Sequence, residues 1–305
     1  MNHVFGPVPS RRLGYSLGVD IIPPKYCTYD CIYCQIGKTT DKVIRRKSFY
    51  DAGSIADEVA AKVALAHVDV ITFSGSGEPT LNSDLGTMIG KVKERVTTPV
   101  AVITNGSLLY DRDVRSDLAA ADMVLPSLDA VTEEVFQRIN RPHPLLDIKT
   151  IMEGLREFRA EYTKSIWLEI MLIRNVNDDP DELRKMVQIA STLGVDRIQL
   201  NTVTRPPSEE NACRLEEDDL QAICKRFGPR CEVICSFERT EEMPAQADWT
   251  EMILETLRRR PLTLDDVVRT TSLSRFQART RLKAMEDEGL VRSYALGDDV
   301  FYVVA

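Results

Sequence analysis

Leu17-Gly18-Val19-Asp20-Ile21-Ile22-Pro23-Pro24-Lys25-Tyr26-Cys27-Thr28-Tyr29-Asp30-Cys31-Ile32-Tyr33-Cys34 runs from a short apolar segment directly into three closely spaced cysteines. Residues 17–22 have the length and apolar, β-branched content of a strand. The cysteines therefore fall on the loop at that strand's C-terminal end. Six more runs of the same kind occupy residues 68–73, 100–104, 123–128, 166–173, 197–203 and 231–237. Between them, residues 54–66, 83–95, 110–119, 132–139, 147–162, 180–193 and 215–227 place apolar side chains at i, i+3 and i+4. Several of these segments carry helix start signals, such as Asn82-Ser83 and Asp178-Asp179 before Pro180. Regular β-then-α alternation implies a parallel sheet with right-handed crossovers. The expectation is an α/β chain whose residues 1–240 form a partial (β/α)6-type parallel barrel. Sites on such folds lie at the C-terminal strand ends, so the residues after each strand carry the functional reading.

The 305 residues allow two domains, and 43% apolar with 28% charged residues excludes disordered, collagen-like and coiled-coil chains. No stretch approaches the ~18 apolar residues of a membrane span, and residues 1–10 lack a signal pattern. A cytoplasmic protein without membrane partners is expected. The net charge of -8 disfavours a broad nucleic-acid surface but permits a local basic patch. Residues 248–305 read differently: helices at 249–259, 264–270 and 274–288, then strands at 290–295 and 300–304 about a turn at 297–299. Three helices followed by a hairpin form a winged-helix pattern, with 241–247 as its linker.

Cys27, Cys31 and Cys34 form a CxxxCxxC run. Three thiolates on one loop can hold three irons of a [4Fe–4S] cube and leave the fourth iron open. Zinc is the competing reading, but it usually takes four ligands. The three histidines, His3, His67 and His143, are not beside the loop in sequence. With Tyr33 before Cys34, on the first loop of a βα barrel, the run resembles the radical S-adenosylmethionine (SAM) superfamily over about residues 1–237.

That resemblance implies a [4Fe–4S] cluster on Cys27, Cys31 and Cys34, with SAM chelated by its open iron. Reduction of the cluster cleaves SAM to methionine and a 5′-deoxyadenosyl radical, which takes hydrogen from substrate. It also implies an electron donor such as flavodoxin or ferredoxin. The stretch Ser76-Gly77-Glu78-Pro79 resembles the family's GGEP motif, with serine in place of the first glycine. Thr104-Asn105-Gly106 resembles its T/S-N-G turn. Ser127 and Asp129 stand where the family contacts ribose, while Asn201 and Val203 occupy its adenine-binding edge. Glu169 shares a strand face with Trp167 and Met171. The segment from Gly6 to Gly14 resembles a little-characterised radical SAM group related to the tRNA wyosine-base synthases, which suggests a tRNA-related substrate. No lysine motif matches that group's pyruvate-binding step. Arg11 and Arg12 suit an anionic substrate or, preferably, pairing with barrel carboxylates.

Cys213, Cys224, Cys231 and Cys235 are spaced unfavourably for a second cube. The last two lie ~13 Å apart along a strand, and the first two ~16 Å apart if a helix joins them. Buried small hydrophobes are the expectation, with Cys213 and Cys235 toward the active-site end. Lys38, Lys42, Arg45, Arg46 and Lys47 form a basic run beside the cluster loop. In the tail, Arg275, Arg279, Arg281 and Lys283 lie on its third helix, but the wing Gly297-Asp298-Asp299 is acidic. RNA, peptide or protein docking on the winged helix is favoured over operator DNA. The alternatives are an iron–sulfur redox-sensing transcription regulator and a zinc-bound interaction protein. The substrate is not encoded in any motif read here.

Overall fold

The structure, a computed structural model, describes residues 3–234, 249–271, 273–297 and 299–305. Its main sheet has eight strands in chain order: β1 (Val4–Ser10), β2 (Gly14–Val19), β3 (Val70–Phe73), β4 (Val100–Thr104), β5 (Met123–Pro126), β6 (Ser165–Leu172), β7 (Arg197–Thr202) and β8 (Cys231–Val233). From β2 to β8 every neighbouring pair is parallel. This mostly parallel sheet is the architecture that the alternation of apolar runs predicts, and it suits a partial barrel.

The crossovers are α1 (Ala52–Val63), α2 (Leu85–Arg95), α3 (Arg112–Leu118), α4 (Glu133–Ile139) with α5 (Ile148–Glu161), α6 (Pro180–Thr192) and α7 (Glu217–Phe227). Asp51, Asp111, Asp147 and Asp179 each accept a backbone N–H of the following first turn. These carboxylates satisfy donors that a helix start leaves unpaired. Helix starts fall within two residues of the expected ones because the caps define them.

The first strand is displaced from expectation. It spans Gly14–Val19 rather than 17–22, and β1 lies antiparallel beside it. Gly6, Pro7 and Pro9 hide β1 in the sequence, yet proline is tolerated on an edge strand, where no ladder donor is needed. The run 231–237 is strand over Cys231–Val233; its residues beyond 234 lie outside the described residues, as does the expected linker 241–247.

The tail folds as α8 (Trp249–Leu257), β9 (Leu262–Thr263), α9 (Leu264–Thr271), α10 (Arg275–Asp287), β10 (Val291–Leu296) and β11 (Asp299–Val304). Its strands form an antiparallel sheet in the order β9-β11-β10. The two-residue β9 was too short to read from the sequence. Ile253, Leu257, Leu262, Val267, Leu282 and Met285 build a core separate from that of the main sheet. Helices α8 and α9 pack against β1, and Lys62 pairs with Glu255 at 3.8 Å. Asp298 of the wing turn lies outside the described residues.

Gly154 marks a tight helix contact. A Cβ there would stand 2.4 Å from the Tyr110 nitrogen and 2.7 Å from the Leu109 carbonyl carbon. Backbone cannot yield as a side-chain tip does. Gly154→Ala is expected to destabilise the chain by about 1–3 kcal/mol through overpacking, although alanine is the better helix former. A urea titration reads this as a lower midpoint at unchanged slope.

Candidate functional site

The cysteine loop leaves β2 and is clamped by its own backbone. Ile32 donates to the Ile139 carbonyl at 3.0 Å, and Asp30 to that of Asn140 at 3.0 Å, which ties the loop to the end of α4. The Val43 N–H reaches the Cys27 carbonyl at 2.9 Å. Two amide side chains then address the sulfurs. Asn105 Nδ2 lies 3.6 Å from Cys27 Sγ, and Asn140 Nδ2 lies 3.4 Å from Cys31 Sγ. Burial, reinforced by Glu78, pushes the Cys27 thiol up to about 12. Burial and Asp129 raise Cys31 as well, and burial raises Cys34. Thiolates in this setting need cationic metal beside them.

The loop after β3 lies against the cysteine loop. A Cβ on Gly77 would stand 2.0 Å from the Tyr26 carbonyl oxygen, so only glycine fits. The Lys25 N–H donates to the Ser76 carbonyl at 2.7 Å, and the Glu78 N–H to that of Tyr26 at 3.2 Å. Serine at 76 is accommodated because its hydroxyl donates to Asp20 Oδ2 at 2.5 Å. The buried Glu78 carboxylate accepts from the Thr80 N–H and hydroxyl, the Thr104 hydroxyl and the Asn105 N–H. Burial still keeps this carboxyl above its ordinary range. Its oxygens hold the β3 and β4 loops together, and the main chain is left facing the cavity.

Asp129 is equally engaged. It accepts from Tyr33 Oη at 2.5 Å, Asn140 Nδ2 at 2.8 Å and the Met171 N–H at 2.9 Å. Burial raises its carboxyl despite these donors. Glu169 goes the other way: burial pushes it up, but Arg12, Asn201 and Arg11 together hold it below the usual carboxylate range. Arg12 Nη1 is 2.5 Å from Glu169 Oε2, and Asn201 Nδ2 is 2.9 Å from Oε1. Arg12 thus pairs with a barrel carboxylate, as preferred from the sequence. Arg11 instead donates to the Ile234 carbonyl at 3.1 Å and to the Thr204 hydroxyl.

One cavity of about 450 Å³ gathers these groups. Cys27, Cys31, Cys34, Tyr33, Ser76, Gly77, Glu78, Thr104, Asn105, Ser127, Asp129, Glu169, Asn201 and Val203 all lie on its wall. Pro79 does not. It is buried in a short 3-10 turn behind the loop. The three thiols share a wall, as a larger group with several metal ions requires.

Other sequence candidates are placed elsewhere. Cys213 is exposed and off the cavity wall, contrary to expectation, because the loop carrying it is tied outward by the Arg174 N–H to its carbonyl. Cys224 and Cys231 stand side by side where α7 meets β8; burial and the Cys224 thiol raise Cys231. Cys235 lies outside the described residues. The basic run is largely structural. Arg46 binds the Thr80 and Asn82 carbonyls and Asp117, while Lys47 sits over the Tyr26 ring. Lys38 pairs with Glu209, and Lys42 donates to the Arg141 carbonyl. Sequence reasoning missed Asp20, Asn140, Arg205, Arg259 and Arg260. The last two stand in the visible run Arg258-Arg259-Arg260, but such a run at a helix end usually faces solvent.

A sequence profile of the Radical SAM superfamily matches residues 21–187, more than half of the chain, and the chain belongs to that superfamily. That superfamily is one of enzymes that use a [4Fe–4S] cluster and SAM. A protein of Brachyspira hyodysenteriae named GTPase Obg is 36% identical over 305 residues, covering 99% of this chain and 45% of that protein. A UPF0026 protein of Methanocaldococcus jannaschii is 38% identical over 213 residues, covering 69% of this chain and 66% of that one. The chain thus spans less than two thirds of either relative. Among solved structures, a radical SAM methyltransferase from Sphaerobacter thermophilus superposes with a TM-score of 0.55 at 18% identity, covering 72% of this chain and 65% of that one. No helix among the described residues is long and apolar enough to cross a membrane.

Asp129→Asn is expected to disturb the cysteine loop. The new amide keeps an oxygen for Met171 but turns a second NH2 toward Asn140, whose hold on Cys31 then weakens. Iron retained after anaerobic desalting should fall severalfold, while the thermal midpoint of the apo chain changes little.

Proposed function

We propose that Cys27, Cys31 and Cys34 hold the [4Fe–4S] cluster and that the main chain at Ser76 and Gly77 presents SAM to it. Asn105, Asp129, Glu169, Asn201 and Val203 shape the remaining contacts. The observation that carries this reading is that three half-buried cysteines and the glycine loop form adjoining walls of one cavity. Bound there, the cluster and SAM supply a hydrogen-abstracting radical to the substrate. The protein's part is positioning. Asn105 and Asn140 orient the sulfurs, Tyr33 braces Asp129, and Arg12 fixes Glu169 and keeps it charged. A reductant of the flavodoxin or ferredoxin type is the natural electron donor, which fits a cytoplasmic setting.

The tail has the helix and strand order of a winged helix, and docking of an RNA, peptide or protein partner there is the reading we favour. Its Arg275 is already engaged by Asp265 of α9, and its Arg259 and Arg260 face the cavity rather than a duplex. These contacts give a transcription regulator no support. The likeness of residues 6–14 to the wyosine-base synthase group is the one pointer to a tRNA-related substrate. In the fold those residues are β1 and a turn whose Arg12 serves Glu169. The GTPase name of the longer relative is not carried over. Gly37-Lys38-Thr39 lacks the P-loop's leading glycine, Ile32 standing in its place.

Anaerobically reconstituted protein should hold about four irons and four sulfides. Cys31→Ala should lose them. With a strong reductant the intact protein should release 5′-deoxyadenosine and methionine from SAM. Full iron content without SAM cleavage would overturn the assignment of the cavity.

A further inference from the structure

Five guanidinium groups reach the cavity: Arg11, Arg12, Arg205, Arg259 and Arg260. They come from three distant parts of the chain: the β1–β2 turn, the loop after β7 and the end of α8. Three have carboxylate partners. Arg12 pairs with Glu169 at 2.5 Å, Arg259 with Asp20 at 3.4 Å and Arg205 with Asp266 at 3.7 Å. Glu255, also near Arg259, pairs with Lys62. Among the described residues Arg11 hydrogen-bonds to neutral oxygens, those of Thr204 and Ile234, and feels the Glu169 charge without pairing with it. Among the described residues the Arg260 guanidinium makes neither a hydrogen bond nor an ion pair, its backbone N–H alone donating to the Thr256 carbonyl, and the buried Arg205 Nε has no acceptor. Within this arginine cluster five cations face three carboxylates, a local excess of two positive charges; Glu78 and Asp129, on the same wall, are engaged by neutral donors of the loops.

Like charges in a desolvated wall are costly unless an anion joins them. Burial, with Arg205 beside it, lowers Arg260 to about 9, and burial and Arg205 lower Arg11 to about 10. Both remain protonated at neutral pH. SAM does not meet this demand: its ammonium and sulfonium outweigh its one carboxylate, which the cluster reading already places at the open iron. Forked N–H donors around a twofold charge excess match a phosphate dianion.

We propose that Arg11, Arg205 and Arg260 seat a phosphomonoester or diphosphate group of a small substrate, so that the tail supplies part of the substrate site. This rests on reading the cavity as the chamber shared by SAM and substrate. A cavity of about 450 Å³ has the size of a small-molecule site, which favours a small phosphorylated molecule over a polymer threaded past the arginines.

The test is calorimetric titration of the reconstituted full chain with pyrophosphate at fixed ionic strength, with SAM affinity measured alongside. Saturable binding is expected. Arg260→Gln, which breaks no ion pair, and Arg205→Gln should each weaken it about tenfold, as loss of a charge-assisted contact does. Arg258→Gln, altering an exposed neighbour, should leave it unchanged. Absent binding, or equal loss in all three variants, overturns the proposal. So does a loss of SAM affinity as large as that of pyrophosphate, which would assign the arginines to the cofactor. A short oligoribonucleotide with hydroxyl ends that outcompetes pyrophosphate would overturn it in favour of an RNA backbone. Wild-type protein that binds pyrophosphate through Arg260 but cleaves no SAM would keep the seat and sink the radical reading alone.

Discussion

The backbone of Gly77 lies against the carbonyl of Tyr26, closer than any side chain permits. That contact joins the loop after β3 to the loop that carries the cysteines. Hydrogen bonds from Lys25 to Ser76 and from Glu78 to Tyr26 make the junction a short ladder between two loops. A parallel sheet brings successive strand ends together, but only at the spacing of its strands, about 4.8 Å. The glycine closes the remaining distance. The cysteine wall and the main chain at Ser76 and Gly77 become one surface, and the rest of the cavity is arranged around it.

Carboxylates do most of the arranging, and few of them are free. Glu78 binds four donors across two loops, Asp129 three and Asp20 the Ser76 amide and hydroxyl. Buried acceptors with full complements of donors hold loops at fixed positions. Of Glu78, Asp129 and Glu169, only Glu169 is held by a full positive charge, and it alone of the three lies below the ordinary carboxylate range. The cavity therefore separates into a loop-bracing side with neutral donors and an arginine side where charge decides the behaviour.

Much of this was legible in the sequence because it is periodic or local. Strands β3 to β7 and all seven crossover helices follow from apolar spacing, and four of the helices also have capping aspartates. The cysteine run and the segments after β3, β4 and β5 follow from reading strand ends. What escaped is non-local or breaks a local rule. β1 contains two prolines and a glycine, and only its place at the sheet edge makes it a strand. Asn140 ends a helix with no motif about it, yet it addresses Cys31. Arg259 and Arg260 look like solvent-facing residues, and only the docking of α8 on β1 turns them inward. Glu78 was legible as a site residue, but which of its atoms face the cavity was not.

Arg259 also joins the two ends of the chain. Its guanidinium stacks on the Phe5 ring at 4.2 Å and pairs with Asp20, whose other contacts hold the Ser76 amide and hydroxyl. The Phe5 ring in turn fits only because position 18 has no side chain. A chain made from its N-terminus folds in that order too. The cysteine loop and every strand of the main sheet, the last being Cys231–Val233, precede residue 259 in the chain. Until that residue is made the cavity lacks the wall that Arg259 and Arg260 supply. A preformed iron–sulfur cluster delivered during synthesis meets an open chamber, and one delivered afterward must pass a finished doorway.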